Sequence, residues 1–284
     1  MAERIAWVTD STAYLDEELM NHPDVFVVPM IVYMEDKEYL DGVNIQPSEL
    51  YKIMEEKKIV AKTSQPSVGT FVELYGKLEK DYDRIFSFHV SSKLSGTVSS
   101  SQQAAQLVKI PVHTVDSKIL SYPMTYLMKK AMQYINEGSS VEETLKKIER
   151  LRDTNETYVL IGSLEQLHRS GRMSGVQYFL GSMLSVKPII SIEDGKLLSK
   201  DKVRSEKQAQ KKIFSYLQDA IERHGVTECM ILYGSDLSQT EGWYSELKAL
   251  YPEIDINCYP LGTAIGVHAG GNTLGISWFS KIEE

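Results

Sequence analysis

Residues 91–97 read Ser-Ser-Lys-Leu-Ser-Gly-Thr, directly after the apolar run Arg84 to Val90 and directly before a segment able to form a helix, Val98 to Val108. That arrangement builds an anion site. The first N–H groups of a helix have no intrahelical partner, the macrodipole favours negative charge there, and Ser and Thr hydroxyls add short donors. Three further stretches place small hydroxyl residues after apolar runs: Thr9-Asp-Ser-Thr12, Thr63-Ser-Gln-Pro-Ser67 and Asp116-Ser117. In open α/β sheets, ligands bind beyond the carboxyl ends of strands, where such loops converge. Taken singly, each stretch reads equally as a set of helix N-caps. Four together point to a shared crevice.

His268 is the histidine flanked by glycines, in Ile265-Gly-Val-His-Ala-Gly-Gly271, where a backbone can approach a ligand closely. It has two readings, a ligand neighbour or a satisfied structural histidine. The chain also contains the residue types of a serine hydrolase acting on a lipid or acyl substrate, with Ser95 as nucleophile, His268 as base and Asp10 or Asp116 orienting it. Against this alternative, Ser95 follows Lys93-Leu94 and lacks the Gly-x-Ser-x-Gly elbow. Phosphoryl transfer by the chain itself has no Gly-x4-Gly-Lys-Ser/Thr loop and no kinase glycine-rich signature behind it. Six histidines and two cysteines show neither His-Glu-x-x-His nor Cys-x2-Cys spacing, so no metal or other cofactor is expected.

These residues need elements to position them. Short apolar runs alternate with longer segments of helical periodicity, the pattern of an α/β protein with a largely parallel sheet. Strands are expected at residues 5–9, 25–33, 84–90 and 112–115, and then at 158–161, 188–192, 229–233, 254–259 and 273–279. Helices are expected at 47–58, 68–80, 96–108, 122–136, 141–153, 206–224 and 239–250. The polar stretch Arg152 to Thr157 divides the chain into an N-terminal domain, 1–155, with a Rossmann-like parallel sheet, and a C-terminal α/β domain, 156–284.

The 284 residues carry a formal net charge of −8, with 42% hydrophobic and 25% charged residues, which is ordinary globular composition. No basic tract with interleaved aromatics is present, so nucleic acid is excluded as a partner. The apolar stretch Val25 to Tyr33 is interrupted by Pro29 and far too short to span a bilayer. With no signal-peptide pattern, and with Cys229 and Cys258 in separate strand-like runs, the expected location is the cytoplasm.

The motifs together resemble the DegV family of bacterial lipid-binding proteins. The matching pieces are Val8-Thr-Asp-Ser-Thr12, Thr63-Ser-Gln-Pro-Ser67, residues 91–97, Val115-Asp-Ser117, Ser170-Gly-Arg-Met-Ser174, Val186-Lys-Pro-Ile-Ile190 and Ile265-Gly-Val-His268, in the family's order. The resemblance implies two α/β domains with lipid bound between and within them, the carboxylate at the domain interface and the tail in an apolar tunnel of the C-terminal half. It implies a non-enzymatic carrier, the fatty-acid-binding subunit of a bacterial fatty acid kinase. A separate ATP-using subunit would phosphorylate the bound carboxylate, and the acyl phosphate would feed phospholipid synthesis. An acyltransferase of that synthesis and peripheral contact with a membrane are compatible with the same resemblance.

By that resemblance Thr63, Ser95 and Gly96 hold the carboxylate with His268 close by, and Arg172 and Arg204 face the phosphoryl group or the kinase. Two departures stand out. Gly270-Gly271-Asn272 replaces the family's usual Gly-Pro-Gly, and Arg169-Ser170-Gly171-Arg172 its usual Lys-Gly-Gly-Arg. Tail-lining candidates are Leu164, Met173, Phe179, Leu180 and Met183, apolar side chains in a segment rich in Gly and Ser that leaves room for a chain. The alternative for each is an ordinary core position. Burying roughly 14 methylenes at about 0.8 kcal/mol each offers on the order of 11 kcal/mol before association costs. Each hydrogen bond to a charged carboxylate adds only about 1.5–3 kcal/mol. The tail therefore dominates affinity, and the hydroxyls fix which end sits at the mouth.

Overall fold

The computed structural model describes residues 3–57, 59–172 and 186–282. It is a mixed α/β protein that divides into two compact units: Met1–Met128 with Gly262–Val267, and Lys129–Leu261 with His268–Glu284. The boundary read from the sequence, between residues 155 and 156, lies inside the second unit.

Unit 1 runs β1 (Ile5–Asp10), α1 (Glu17–Met20), β2 (Val25–Val28), β3 (Ile31–Met34), β4 (Lys37–Leu40), α2 (Pro47–Lys57), β5 (Lys62–Ser64), α3 (Val68–Leu78), β6 (Arg84–His89), α4 (Thr97–Ala105) and β7 (Val112–Asp116). Strands β2-β1-β6-β7 form a parallel sheet, with Trp7 opposite both Val25 and Phe86. Both β1 and β6 read almost continuously buried, which suits strands covered on two faces. Phe71, Tyr75 and Leu78 of α3 pack with Ala6, Val8 and Ile85 of the sheet. The apolar stretch 25–33 is two strands rather than one. Pro29 cannot donate a ladder bond, so the chain leaves the parallel sheet there and enters a second, antiparallel sheet, β4-β3-β5.

The strand order of the parallel sheet reverses at β1, which has β2 on one side and β6 on the other. Crevices for ligands form at the carboxyl ends of strands at such a point. Thr9-Asp-Ser-Thr12 and residues 91–97 follow those two strand ends.

Helix α5 (Ser121–Asn136) crosses the division at 128/129. Unit 2 continues through α6 (Val141–Asp153), β8 (Asn155–Leu160), α7 (Leu164–Arg169), β9 (Lys187–Glu193), β10 (Lys196–Val203), α8 (Glu206–His224), β11 (Glu228–Tyr233), α9 (Glu241–Leu250) and β12 (Asp255–Pro260). After α10 (Gly262–Ala269), β13 (Leu274–Phe279) completes a sheet ordered β10-β9-β8-β13-β11-β12. Of its pairs only β11–β12 is parallel, so the second sheet is mixed. The final strand inserts between β8 and β11, antiparallel to both. Helix α6 starts with a complete capping box, Ser140 with Glu143. Helix α8 ends at Gly225 in the left-handed region, φ 60°. Among the described residues no helix is long and apolar enough to cross a membrane.

Candidate functional site

In unit 1 the chain leaves β6 and folds residues 91–97 into a compact turn. Leu94 and Ser95 donate their N–H groups to Ser91 O at 2.9 and 3.1 Å, and Lys93 N–H donates to Ser91 Oγ at 3.1 Å. Helix α4 then opens at Thr97 with Gly96 as its N-cap, which has no side chain to cap it, and the Thr97 N–H donates to Ser95 Oγ at 3.4 Å. The N–H groups that follow in a first turn have no intrahelical partner and point outward, available to an anion. Ser95 Oγ lies 2.8 Å from Thr97 Oγ1, which places two hydroxyls at this opening.

The Thr63-to-Ser67 segment is brought to the same place. A Cβ on Gly96 would sit 3.0 Å from Gln65 Nε2 and 3.1 Å from its Cδ, so Gln65 lies directly over Gly96. Thr63 is two residues earlier, on β5 opposite Val32 of β3, and is half-buried. Gln65 and Gly96 thus bring the two segments together, with Thr63 at the end of β5 and Ser95 in the turn before α4.

The other hydroxyl stretches have structural partners. Asp116 accepts from Ser92 N–H at 3.1 Å, from Ser92 Oγ, and from Lys118 N–H at 3.0 Å. Asp10 accepts from Thr12 N–H at 3.0 Å and Thr12 Oγ1 at 2.5 Å, and its other oxygen accepts from Val90 N–H at 3.0 Å. The histidine beside Asp10 is His89, at 3.1 Å from Nδ1. Each acid that the hydrolase alternative would use organises a loop.

Sequence reasoning passed over Asp41. Only 4% exposed, it accepts from Ser11 Oγ at 2.8 Å and from Ala264 N–H at 3.4 Å near the start of α10. Burial raises its pKa, with the Ser11 hydrogen bond acting against the rise. Ser11 Oγ also accepts the Met30 N–H at 2.9 Å, and Met30 Sδ accepts from Thr97 Oγ1 at 3.6 Å. Asp41 stands before Gly42 in a stretch that reads as an ordinary turn, so no signal in the sequence marks it.

In unit 2, His268 sits in the last turn of α10, half-buried. Burial, and then the positive charge of Arg172, push its pKa down from 6.5 to about 4. The imidazole is neutral at pH 7. Arg172 donates from Nη1 to Ser170 O at 2.6 Å, and burial lowers its own pKa. The charge of Arg172 therefore reaches the neutral ring of His268. Arg204 is exposed at the turn from β10 into α8.

The glycine-rich loop after His268 is ordered without a proline. Gly270 adopts φ 83°, Ser163 N–H donates to Ala269 O at 2.9 Å, Thr273 Oγ1 donates to the same oxygen at 2.8 Å, and Ser235 N–H donates to Gly271 O at 2.8 Å. These bonds supply the restraint that proline would otherwise provide.

Leu164 lines a cavity of about 870 Å³ in unit 2 together with Leu160, Val186, Pro188, Trp243 and Leu274, and its polar wall includes Lys187, Glu206 and Gln239. The cleft is half open and its wall is as polar as it is apolar, and its volume is that of a small-molecule site. Met173, Phe179, Leu180 and Met183 lie outside the described residues. Among the described residues, no group of three or more His, Cys, Asp or Glu could hold a metal ion.

The family model described as "Uncharacterised protein, DegV family" matches residues 4–281. A DegV domain-containing protein of Listeria monocytogenes is 31% identical over 283 residues, which covers 99% of this chain and 100% of that protein. The solved structure of a fatty-acid-binding DegV family protein from Thermus thermophilus superposes with a TM-score of 0.89 at 32% identity, covering 98% of this chain and 100% of that one. DegV of Bacillus subtilis, solved as a fatty acid binding protein, gives a TM-score of 0.89 at 32% identity, covering 99% and 100%.

Proposed function

Because the chain belongs to the DegV family, we propose that it binds one long-chain fatty acid, with Thr63, Ser95 and Gly96 holding the carboxylate and a tail buried in unit 2. The observation that carries this reading is the N-terminus of α4, where the cap residue Gly96 has no side chain, the Ser95 and Thr97 hydroxyls lie 2.8 Å apart and Gln65 packs over the glycine. It offers neutral donors to an anion, and a carboxylate held by hydroxyls and N–H groups keeps its nucleophilicity. The Thermus and Bacillus relatives, both fatty-acid binders, support the ligand class. The 870 Å³ cavity beside Leu164 supports a place for the tail.

In the same reading the chain is a carrier, not a catalyst. A separate ATP-using subunit phosphorylates the presented carboxylate, Arg172 and Arg204 face the phosphoryl group or that subunit, and an acyltransferase takes the acyl phosphate into phospholipid. His268 serves as a neutral neighbour of the head group. The protein works in the cytoplasm, and contact with a membrane is peripheral.

Mass spectrometry of a solvent extract of the protein purified from a bacterial host is the test. A co-purified long-chain fatty acid is expected; no lipid, and no uptake on incubation, overturns the proposal. Thr63→Ala with Ser95→Ala is expected to weaken binding of the acid by about 3–6 kcal/mol while the fold survives, as two hydrogen bonds to a charged group are lost. Titration calorimetry reads this. Acyl phosphate should form only when a fatty acid kinase subunit and ATP are both added.

A further inference from the structure

Unit 1 buries a continuous run of polar side chains that packing alone does not require. Asp10 lies 3.1 Å from His89 Nδ1, and His89 Nε2 lies 2.7 Å from Ser87 Oγ. Ser87 Oγ is 2.8 Å from Tyr75 Oη, and Tyr75 Oη is 2.7 Å from Ser101 Oγ. Ser101 Oγ continues to Thr114 Oγ1 at 2.8 Å. Asp10, His89, Ser87, Tyr75 and Ser101 are all 0% exposed. Replacing such groups with well-packed apolar side chains is often neutral or stabilising, so a complete buried network is better understood through the geometry it specifies. The spacing Ser87–His89–Asp10 matches that of a hydrolytic triad, yet Ser87 Oγ is covered by Tyr75 and sealed from solvent. Its use lies elsewhere.

The run grips residues 91–97 at both ends. Before the segment, Asp10 accepts the Val90 N–H at 3.0 Å. After it, Ser101 anchors α4 one turn beyond Gly96 and Thr97. The second oxygen of Asp10 is taken by Thr12 N–H and Oγ1, which ties the end of β1 to the same point. Each donor on Asp10 needs an acceptor, and only a carboxylate offers acceptors on both of its oxygens.

We propose that Asp10, acting through His89, Ser87 and Tyr75, is the positioning unit that sets Ser95 and the open N-terminus of α4 at the spacing a carboxylate needs. The inference rests on the reading that this segment holds the acid's carboxylate. Asp10→Asn turns one acceptor into a donor facing either Val90 N–H and His89 or Thr12, so the grip on one end is lost while side-chain volume is kept. Tyr75→Phe removes a single hydroxyl and cuts the run in its middle.

The test compares binding of a long-chain fatty acid with binding of its methyl ester, which shares the tail and lacks the anion. In Asp10→Asn the preference for acid over ester is expected to fall by about tenfold, the equivalent of one hydrogen bond, with ester affinity unchanged. Tyr75→Phe is expected to move the ratio in the same direction, and it keeps the test open if Asp10→Asn does not fold. The His89 Nδ1–H resonance in a ¹⁵N spectrum should shift in Asp10→Asn. A purely structural network would lower stability and leave the acid-to-ester ratio of the folded protein untouched; an unchanged ratio in the folded variants overturns the inference. Ser95→Ala separates the two claims. If Ser95→Ala leaves the ratio unchanged, the carboxylate reading itself fails; if Ser95→Ala lowers it and Tyr75→Phe and Asp10→Asn do not, only the positioning role fails.

Discussion

Ser95 and Gly96 illustrate how a residue's chemistry and its neighbours divide the work. A serine and a glycine before a helix are a cap in most proteins; here the glycine is the cap and contributes no side chain, leaving the serine hydroxyl beside Thr97 at an open helix end. His268 shows the same division in electrostatic form. Its ring is neutral in the fold because burial, and secondarily Arg172, disfavour the imidazolium, with the pKa near 4 against 6.5 in the unfolded chain. The unfolded state therefore binds the extra proton first. Stability contributed by this group is complete above about pH 6.5 and is lost as pH falls from about 6.5 to about 4, by up to about 3 kcal/mol. Chemical denaturation across that window should show a limb that flattens in His268→Gln. Arg172→Gln should raise the His268 pKa, read from an NMR titration of the ring, because the repulsion is removed while burial remains.

At the scale of elements, the strands written as apolar runs are easy to see, and those written in charge are not. β1, β6, β11 and β13 are buried and rich in Val, Ile and Phe or aromatic neighbours. β4 reads Lys-Glu-Tyr-Leu, β5 Lys-Thr-Ser and β10 carries Lys196, Lys200 and Lys202. These three stand at sheet edges, where charge discourages pairing with other chains, so the feature that hides them from a hydropathy pattern is the one that suits them to an edge. The loop after α10 depends on one glycine. Gly270 has φ 83°, and a Cβ there would lie 2.8 Å from Gln166 Oε1 and 2.9 Å from Ser163 Cβ. Gly270→Ala is expected to cost about 2–4 kcal/mol, from the left-handed backbone and the overlap together. Gly76→Ala, in the interior of α3 with nothing within 4 Å, should instead stabilise by about 0.5–1 kcal/mol. Urea titration of the two variants gives both signs in one experiment.

For the whole molecule, affinity for the proposed ligand is a matter of apolar area. If the tail dominates, each added methylene multiplies affinity by about four, equivalent to about 0.8 kcal/mol, until the cavity is full. Calorimetry of a series of straight-chain acids should show that slope and then a plateau, and the Thr63→Ala, Ser95→Ala double variant should keep the slope while losing a constant amount. The chain also returns late to its beginning: residues 262–267 belong to unit 1, where Ala264 N–H meets Asp41 and Val267 joins the core of Leu50 and Met54. Such a return depends on contacts more than 200 residues apart, which local patterning does not encode.

The amino-acid sequence by itself determined the α/β class, most of the helices, the hydroxyl clusters after strands and the family, because periodicity, turn chemistry and motif order are local properties of the chain. Tertiary structure decided what those clusters do. It closed Gln65 over Gly96, turned Asp10 inward, set Asp116 on the Ser92 turn, placed His268 within reach of the Arg172 charge and made Asp41 a buried acid. It also split the stretch around Pro29 between two sheets and inserted the last strand between β8 and β11. Each of these is a pairing of residues far apart in the chain, and which pairs form is settled by the simultaneous satisfaction of buried donors and acceptors in a packed core.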